Sequence, residues 1–306
     1  MYSLITKVKQ LYWFVVPYNI RIKIENKKNE KLRNHLLQEL EKRAEEDVEF
    51  GKIQKYLQCN PVAVYNYSFT KKYVLKDFYK YIMRDKENGL NYALHNGKRL
   101  YIKSKYNTIS TAARYYRGIC TEQDIESPHK YTSEKFAVTK GGILLDIGAA
   151  EGFFALDYVD DFDIVYIVEG DNDWIKALKV TFRDYIQSGK VVIIPKLAGN
   201  MDDEQFMTVD KLLENLPVID KLTIKMDVEG SEASVLQGCK KTFERSREIA
   251  AYITTYHKGN DEKTLLKYVS DFSYEFSSGY MVNLYEKNIQ PPYFRKGVIR
   301  CYKNKG

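Results

Sequence analysis

The sequence predicts an α/β protein of the Rossmann-like kind: a seven-stranded, mostly parallel sheet with helices on both faces, preceded by an N-terminal helical and β-hairpin appendage. Three observations carry this. Residues 141–173, GGILLDIGAAEGFFALDYVDDFDIVYIVEGDND, read strand, tight glycine turn, helix, strand. Later apolar runs at Val191–Ile194, Leu222–Met226 and Glu248–Tyr256 supply a third, fourth and fifth strand. The charge is uneven: residues 1–140 carry 27 Lys+Arg against 15 Asp+Glu, a balance of +12, whereas residues 141–306 carry 21 against 26, a balance of −5. A chain of 306 residues has room for one α/β domain of about 170 residues plus an appendage. The expected divisions are 1–60, an amphipathic helical region; 61–135, a tyrosine-rich pre-domain; and 136–306, the cofactor-binding domain.

The opening Leu11-Tyr-Trp-Phe-Val-Val-Pro-Tyr18 is flanked by Lys7, Lys9, Arg21 and Lys23. A stretch this short cannot span a bilayer, which takes about 20 apolar residues. Two readings stand: an interfacial anchor on an anionic membrane, or aromatics packed against the protein or a second copy. From Lys27 to about Leu57 the pattern is one long helix, with Leu32, Leu36, Leu40, Ala44 and Val48 on a narrow stripe. The stripe suits a helical hairpin or a homodimerising pair, and Gly51 weakens its end.

After Pro61 the chain turns to alternating, tyrosine-rich segments, Val62–Phe69, Tyr92–Leu94 and Arg99–Lys103. The Asn96-Gly97 step between the last two predicts a tight β-hairpin, with Lys98, Arg99, Lys103 and Lys105 beside the crevice. Tyrosine is abundant at 26 residues, and most of these rings are expected in the core; the remainder suit sugar recognition, where rings stack on C–H faces. The polar stretch Tyr115–Tyr131 feeds the first strand of the sheet, which makes Glu122, Gln123, His129 and Tyr131 candidate ligand contacts. Cysteines 59, 120, 239 and 301 show no paired spacing, so neither zinc nor a disulfide framework is expected, and a cytoplasmic setting fits.

In a right-handed βαβ unit the ends of both strands open on one crevice. Asp146, the turn Gly148-Ala-Ala-Glu-Gly152 and Glu169 are therefore expected to face one ligand, with Glu169 accepting from both ribose hydroxyls of a nucleoside. The turn lacks the G-x-G-x-x-G spacing of a dinucleotide site. Asp146 and Glu151 also put negative charge where a dinucleotide would bring phosphates and S-adenosylmethionine would bring an ammonium and a sulfonium. The electrostatics favour S-adenosylmethionine.

A second stretch, Leu222–Cys239, reads LTIKMDVEGSEASVLQGC. With the first it resembles the FkbM family of S-adenosylmethionine-dependent methyltransferases, whose hallmark is a strand ending I-K-x-D-V-E-G-x-E and a helix with V-L-x-G. Ile224, Lys225, Asp227, Val228, Glu229, Gly230, Glu232, Val235, Leu236 and Gly238 fit this pattern, and Thr208-Val-Asp210-Lys-Leu-Leu matches the family's T-L-D-x-L-L. The resemblance covers roughly residues 120–285. Two departures are visible: F-E-P becomes Val168-Glu169-Gly170, and Ala150 stands at the middle of the turn. The resemblance implies a class I methyltransferase fold; Gly279–Tyr285 and Gly297–Tyr302 alternate enough to be expected to close the sheet as an antiparallel pair. It implies S-adenosylmethionine held by Asp146, Gly148, Ala149, Gly152, Phe153, Glu169, Gly170, Ala198 and Asp227.

For the chemistry, Asp227, Glu229 and His257 are expected together at the ends of the fourth and fifth strands. His257 or a carboxylate would take the proton of an acceptor hydroxyl. The same three residues would otherwise hold a divalent metal. Glu122, His129, Tyr131 and Lys258 are the candidate substrate contacts. The expected activity is O-methylation of a sugar hydroxyl on a glycan or related small molecule, in the cytoplasm or at the inner face of a membrane. Nucleic-acid methylation is the runner-up but lacks a recognition motif, and a non-catalytic scaffold is opposed by intact Asp146, Gly148, Glu169 and Asp227.

Overall fold

A computed structural model describes residues 18–306 apart from 44, 285, 287 and 288. Its contacts divide the chain into two compact units, residues 1–68 and 69–306. Of the opening stretch Leu11–Tyr18, residues 11–17 lie outside the described residues. Among the described residues, no helix is long and apolar enough to cross a membrane.

In the first unit the expected single helix is two: α1, Tyr18–Arg43, and α2, Val48–Cys59. The break has a local cause, because the Asp47 side chain accepts from the Glu49 N–H at 2.9 Å and restarts the helix as an N-cap. Leu36 and Leu40 of α1 and Phe50, Ile53 and Leu57 of α2 are buried, whereas Val48, expected on the apolar stripe, is exposed. The burial is that of a helical hairpin. The alternating segment after Pro61 forms no strand: the Asn66 side chain bonds back to both polar groups of Ala63 and holds a turn, with Tyr65 and Tyr67 buried.

The second unit starts with α3 (Thr70–Leu75), the strands β1 (Ile82–Arg84), β2 (Asn91–His95) and β3 (Lys98–Ile102), and α4 (Ile109–Glu122). The hairpin forms where expected: His95 pairs with Lys98, and Asn96 and Gly97 between them take φ +49° and +80°, as a two-residue primed turn requires. The core follows as β4 (Ile143–Ile147), α5 (Phe153–Tyr158), β5 (Ile164–Val168), α6 (Asn172–Thr181), α7 (Arg183–Gln187) and β6 (Val191–Ile194). After the small pair β7 (Leu197–Ala198) and β8 (Phe206–Met207) come α8 (Val209–Leu212), β9 (Ile219–Met226), α9 (Glu232–Gln237), α10 (Lys240–Arg245), β10 (Ser246–Thr254), α11 (Asp261–Leu266), β11 (Ser273–Phe276) and β12 (Val298–Asn304).

The main sheet has seven strands in the order β11-β12-β10-β9-β4-β5-β6, and β12 is the one strand reversed against its neighbours. This is the class I methyltransferase arrangement. Alternation along β4 divides the core: Leu144 belongs to the cluster on one face, and Ile143, Leu145 and Ile147 to the cluster on the other.

Two expectations need correction. The partner of β12 is Ser273–Phe276, not Gly279–Tyr285; of the latter, Tyr285 lies outside the described residues. Ser277 closes the ladder on Val298, and Gly279 then takes φ +75°, which turns the chain away. The boundary at residue 135 also dissolves. Phe78, Tyr92, Leu100, Ile102, Tyr116 and Ile119 share one hydrophobic cluster with Leu144, Phe154, Val165 and Trp174, so the tyrosine-rich segment is part of the same unit as the sheet.

Candidate active site

Running from β4 to β6 the chain builds one side of the sheet, and with β9 and β10 it builds the other. The crevice of a doubly wound sheet lies where the order reverses, outside the carboxyl ends of β4 and β9. Ile147 and Met226 are paired across that point, so the loops after them form its two lips.

The first lip is the glycine turn. Gly148 takes φ +67°, and a Cβ there would stand 1.9 Å from the Asp227 carbonyl oxygen, so the two lips touch through backbone only. Ala150, at the middle of the turn, is held at φ +49°. Its N–H donates to Glu169 Oε2 at 2.8 Å, while the Asp171 N–H donates to Oε1 at 2.7 Å. Glu169 thus organises the turn from the end of β5 and keeps further acceptor capacity on both oxygens.

Asp146 does not line the crevice as expected. It is fully buried, its Oδ2 accepting from the Ala155 N–H at 3.1 Å and its Oδ1 facing Lys225 Nζ at 3.2 Å. Lys225 in turn donates to the Gly148 carbonyl at 2.7 Å, so this buried ion pair ties β9 to the turn and to the start of α5. Phe153 also turns aside, its ring 4.8 Å from that of His95. Ala149 and Gly152 are buried in the turn, with a Cβ on Gly152 meeting Leu178 at 2.6 Å. Gly170 meets Leu197, and Ala198 is buried where the sequence places the adenine side.

The second lip holds the acid–imidazole cluster. Asp227 is its hub: Oδ2 accepts from the Tyr131 hydroxyl at 2.8 Å and lies 3.7 Å from His129 Nε2, while Oδ1 lies 3.4 Å from Thr254 Oγ1 and 3.5 Å from His257 Nε2. Burial is the largest influence and opposes ionisation of Asp227, but Lys225, the two histidines and the Tyr131 hydroxyl together outweigh it and hold the carboxyl below its usual range. His129, buried, is pushed down to about 4 and is neutral at physiological pH. Glu122 is pushed up to about 8, by burial first and then by Glu151 and Asp227, so it is protonated at neutral pH. Tyr115 donates a short hydrogen bond to Glu151, whose pKa burial raises. Of the four expected substrate contacts, Glu122, His129 and Tyr131 join this cluster. Lys258 does not: its side chain is exposed and its N–H donates to Asp261 at 2.6 Å.

His257 sits three residues past β10, its ring 4.1 Å from Tyr256. The Arg295 guanidinium clamps the backbone here, donating to the carbonyls of Tyr256 at 2.9 Å and His257 at 3.2 Å. Nδ1 lies 2.9 Å from Glu232 Oε1, and Nε2 lies 3.5 Å from both Asp227 Oδ1 and Glu229 Oε2. Burial opposes protonation of the ring, but the Glu232 hydrogen bond and the charges of Asp227 and Glu229 outweigh it and raise the pKa above 6.5. Glu229 itself adopts φ +54°, a left-handed conformation that costs a residue with a Cβ about 1–3 kcal/mol and tends to mark functional loops.

The residue the sequence reading overlooked is Glu232. It is the first residue of α9 and only 1% exposed. Its place in D-V-E-G-x-E, five residues after Asp227, was the available signal. The candidate cation donors change with it: Asp227, Glu232 and His257 offer donor atoms within 4.8 Å of one another, whereas the Glu229 side chain is 90% exposed. Glu232 Oε1 and Nδ1 of His257 are bonded to each other, while among the described residues Glu232 Oε2 and His257 Nε2 are buried without a hydrogen-bond partner.

A family model described as the methyltransferase FkbM domain matches residues 202–276, a narrower stretch than the resemblance suggested but one that holds Asp227, Glu229, Glu232 and His257. A comparison with curated proteins finds no match. Among solved structures, a methyltransferase FkbM from Methylobacillus flagellatus KT is 18% identical with a TM-score of 0.42 over 64% of this chain and 54% of its own, so the chain spans about half of that protein's length. A precorrin-6y C5,15-methyltransferase from Geobacter metallireducens GS-15 is 11% identical (TM-score 0.37, 56% of this chain, 84% of the other). An rRNA methylase from Streptococcus thermophilus is 12% identical (0.36, 55% and 90%). The strand order is that of a class I methyltransferase, and residues 202–276 are similar to the FkbM methyltransferase domain, a family that implies S-adenosylmethionine as methyl donor.

Proposed function

We propose that this chain transfers the methyl group of S-adenosylmethionine to a hydroxyl of a sugar, on a glycan or a related metabolite. The observation that supports this most is the acidic character of the crevice. Asp227, Glu229 and Glu232 surround His257, and Lys225 is occupied by Asp146. Such a cleft attracts a sulfonium and repels phosphates, which disfavours a nucleic-acid acceptor and suits a neutral polyol. A hydroxyl needs only positioning and a base. In this reading His257 Nε2 takes the hydroxyl proton as the oxygen attacks the methyl carbon, and the electron pair of the breaking S–C bond stays on sulfur. Asp227, ionised, stabilises the imidazolium that results. Glu169 holds the ribose from the first lip.

The test is to supply the protein with S-adenosylmethionine labelled in the methyl group together with fractionated cell extract. Label in a glycan or small-sugar fraction, stable to mild alkali as a methyl ether is, is the expected result. Label confined to RNA or DNA would overturn the acceptor assignment.

A further inference from the structure

We infer that Glu232 is a positioning residue for the proposed methyl transfer, and that it fixes His257 in the tautomer with hydrogen on Nδ1, so that Nε2 faces the acceptor as a free base. The inference rests on the reading of His257 as the base. One oxygen, Glu232 Oε1, collects the N–H of Val228 at 3.1 Å and of Gly230 at 3.3 Å, the hydroxyl of Thr254 at 3.1 Å, and His257 Nδ1 at 2.9 Å. Backbone N–H groups can only donate, so that oxygen is an acceptor throughout, and Nδ1 must carry the hydrogen to be bonded to it. Two acceptors 2.9 Å apart inside the protein would repel and leave both unsatisfied.

The other ring nitrogen shows the complement. Among the described residues Nε2 is buried without a hydrogen-bond partner, in a side chain only 6% exposed. Its neighbours on the crevice side, Asp227 Oδ1 and Glu229 Oε2, each stand off at 3.5 Å. A buried acceptor lacking a donor is costly in the resting protein and is satisfied when a substrate hydroxyl arrives. Glu232 does a second job with the same oxygen: by gathering the N–H groups of residues 228 and 230 it holds the loop that carries Glu229 at its left-handed φ. Loop and imidazole are thus set by one buried carboxylate, much as a carboxylate orients the histidine of a hydrolytic triad.

The experiment is nitrogen-15 correlation spectroscopy of the histidine rings in the full chain, with His257→Ala used to assign one ring among four. It is combined with kcat and KM for the labelled transfer and with binding of S-adenosylhomocysteine. The expected result in the parent is a single Nδ1–H tautomer at a pH where the ring is neutral. Glu232→Ala should mix the tautomers and lower kcat by about a hundredfold, the share of a general base, with S-adenosylhomocysteine affinity within about twofold. Glu232→Gln keeps a carbonyl acceptor and should retain the tautomer while kcat falls by less than in Glu232→Ala; this variant decides the matter if Glu232→Ala does not fold. An Nε2–H tautomer in the parent, or an unchanged Nδ1–H tautomer and kcat in both variants, would overturn the inference. If His257→Ala transfers methyl at the parent rate, the base reading fails instead, and the tautomer still shows separately whether Glu232 sets the ring.

Discussion

His257 is poised by charge as well as by hydrogen bonds. Its pKa lies above 6.5 because Glu232, Asp227 and Glu229 favour the imidazolium more than burial opposes it. A base acts only in its neutral form, so the rate must rise with pH through that pKa, and the acid limb of kcat/KM should centre above 6.5. Replacing His257 by Ala should remove the limb and lower kcat about a hundredfold, with S-adenosylhomocysteine affinity unchanged. A chelator should leave the parent rate alone; loss restored by added Mn²⁺ would shift the role from base to metal ligand. Residue by residue, the sequence was readable where chemistry and position coincide. Asp227 directly follows β9 and His257 lies three residues past β10, and strand ends open on the crevice. Asp146 lies one residue before the end of β4, yet its carboxylate is consumed by Lys225 and the Ala155 N–H, because a Lys on the neighbouring strand pairs with it in register. Spacing in one strand does not reveal a partner in the next. Glu232 was missed because the helix start it occupies reads as an N-terminal acid on a surface helix.

The elements that matter most are the two loops after β4 and β9. They meet where Gly148 abuts the Asp227 carbonyl at a distance no side chain tolerates, and each contains a non-glycine residue at positive φ, Ala150 and Glu229. Gly148→Ala should therefore cost at least about 2 kcal/mol, since it combines a strained φ with a backbone collision. Gly51 is the contrast: it lies inside α2 with nothing within 4 Å of an added Cβ, and Gly51→Ala should stabilise by about 0.5–1 kcal/mol. Denaturant midpoints of the two variants check both signs. At this scale the hairpin at Asn96-Gly97 and the strands β4, β5, β6 and β9 were legible from local pattern, because turn chemistry and apolar runs are local properties. Strand β11 was not. Ser273-Tyr-Glu-Phe276 alternates over four residues only, and as an edge strand it leaves Ser273 and Tyr274 exposed and Glu275 and Phe276 half-buried, so the longer stretch Gly279–Tyr285 drew the reading instead.

Across the whole molecule the charge is distributed differently from what a basic N-terminal domain would require. Residues 1–68 carry 12 Lys+Arg against 8 Asp+Glu, and residues 69–140 carry 15 against 7. Of the excess of +12 in residues 1–140, +8 thus falls in residues 69–140, inside the unit that also contains the acidic crevice. A sequence ledger locates charge along the chain but not by unit, because the unit boundary is set by which rings share a core. The central claim is that this unit binds the nucleoside shared by S-adenosylmethionine and its demethylated product at the turn organised by Glu169. Titration calorimetry of the full chain with S-adenosylhomocysteine and, separately, with NAD tests it most directly. The account predicts binding of S-adenosylhomocysteine, weakened by about 1–3 kcal/mol in Glu169→Ala through loss of charge-assisted ribose hydrogen bonds, and no binding of NAD. Tight binding of NAD with none of S-adenosylhomocysteine would contradict it.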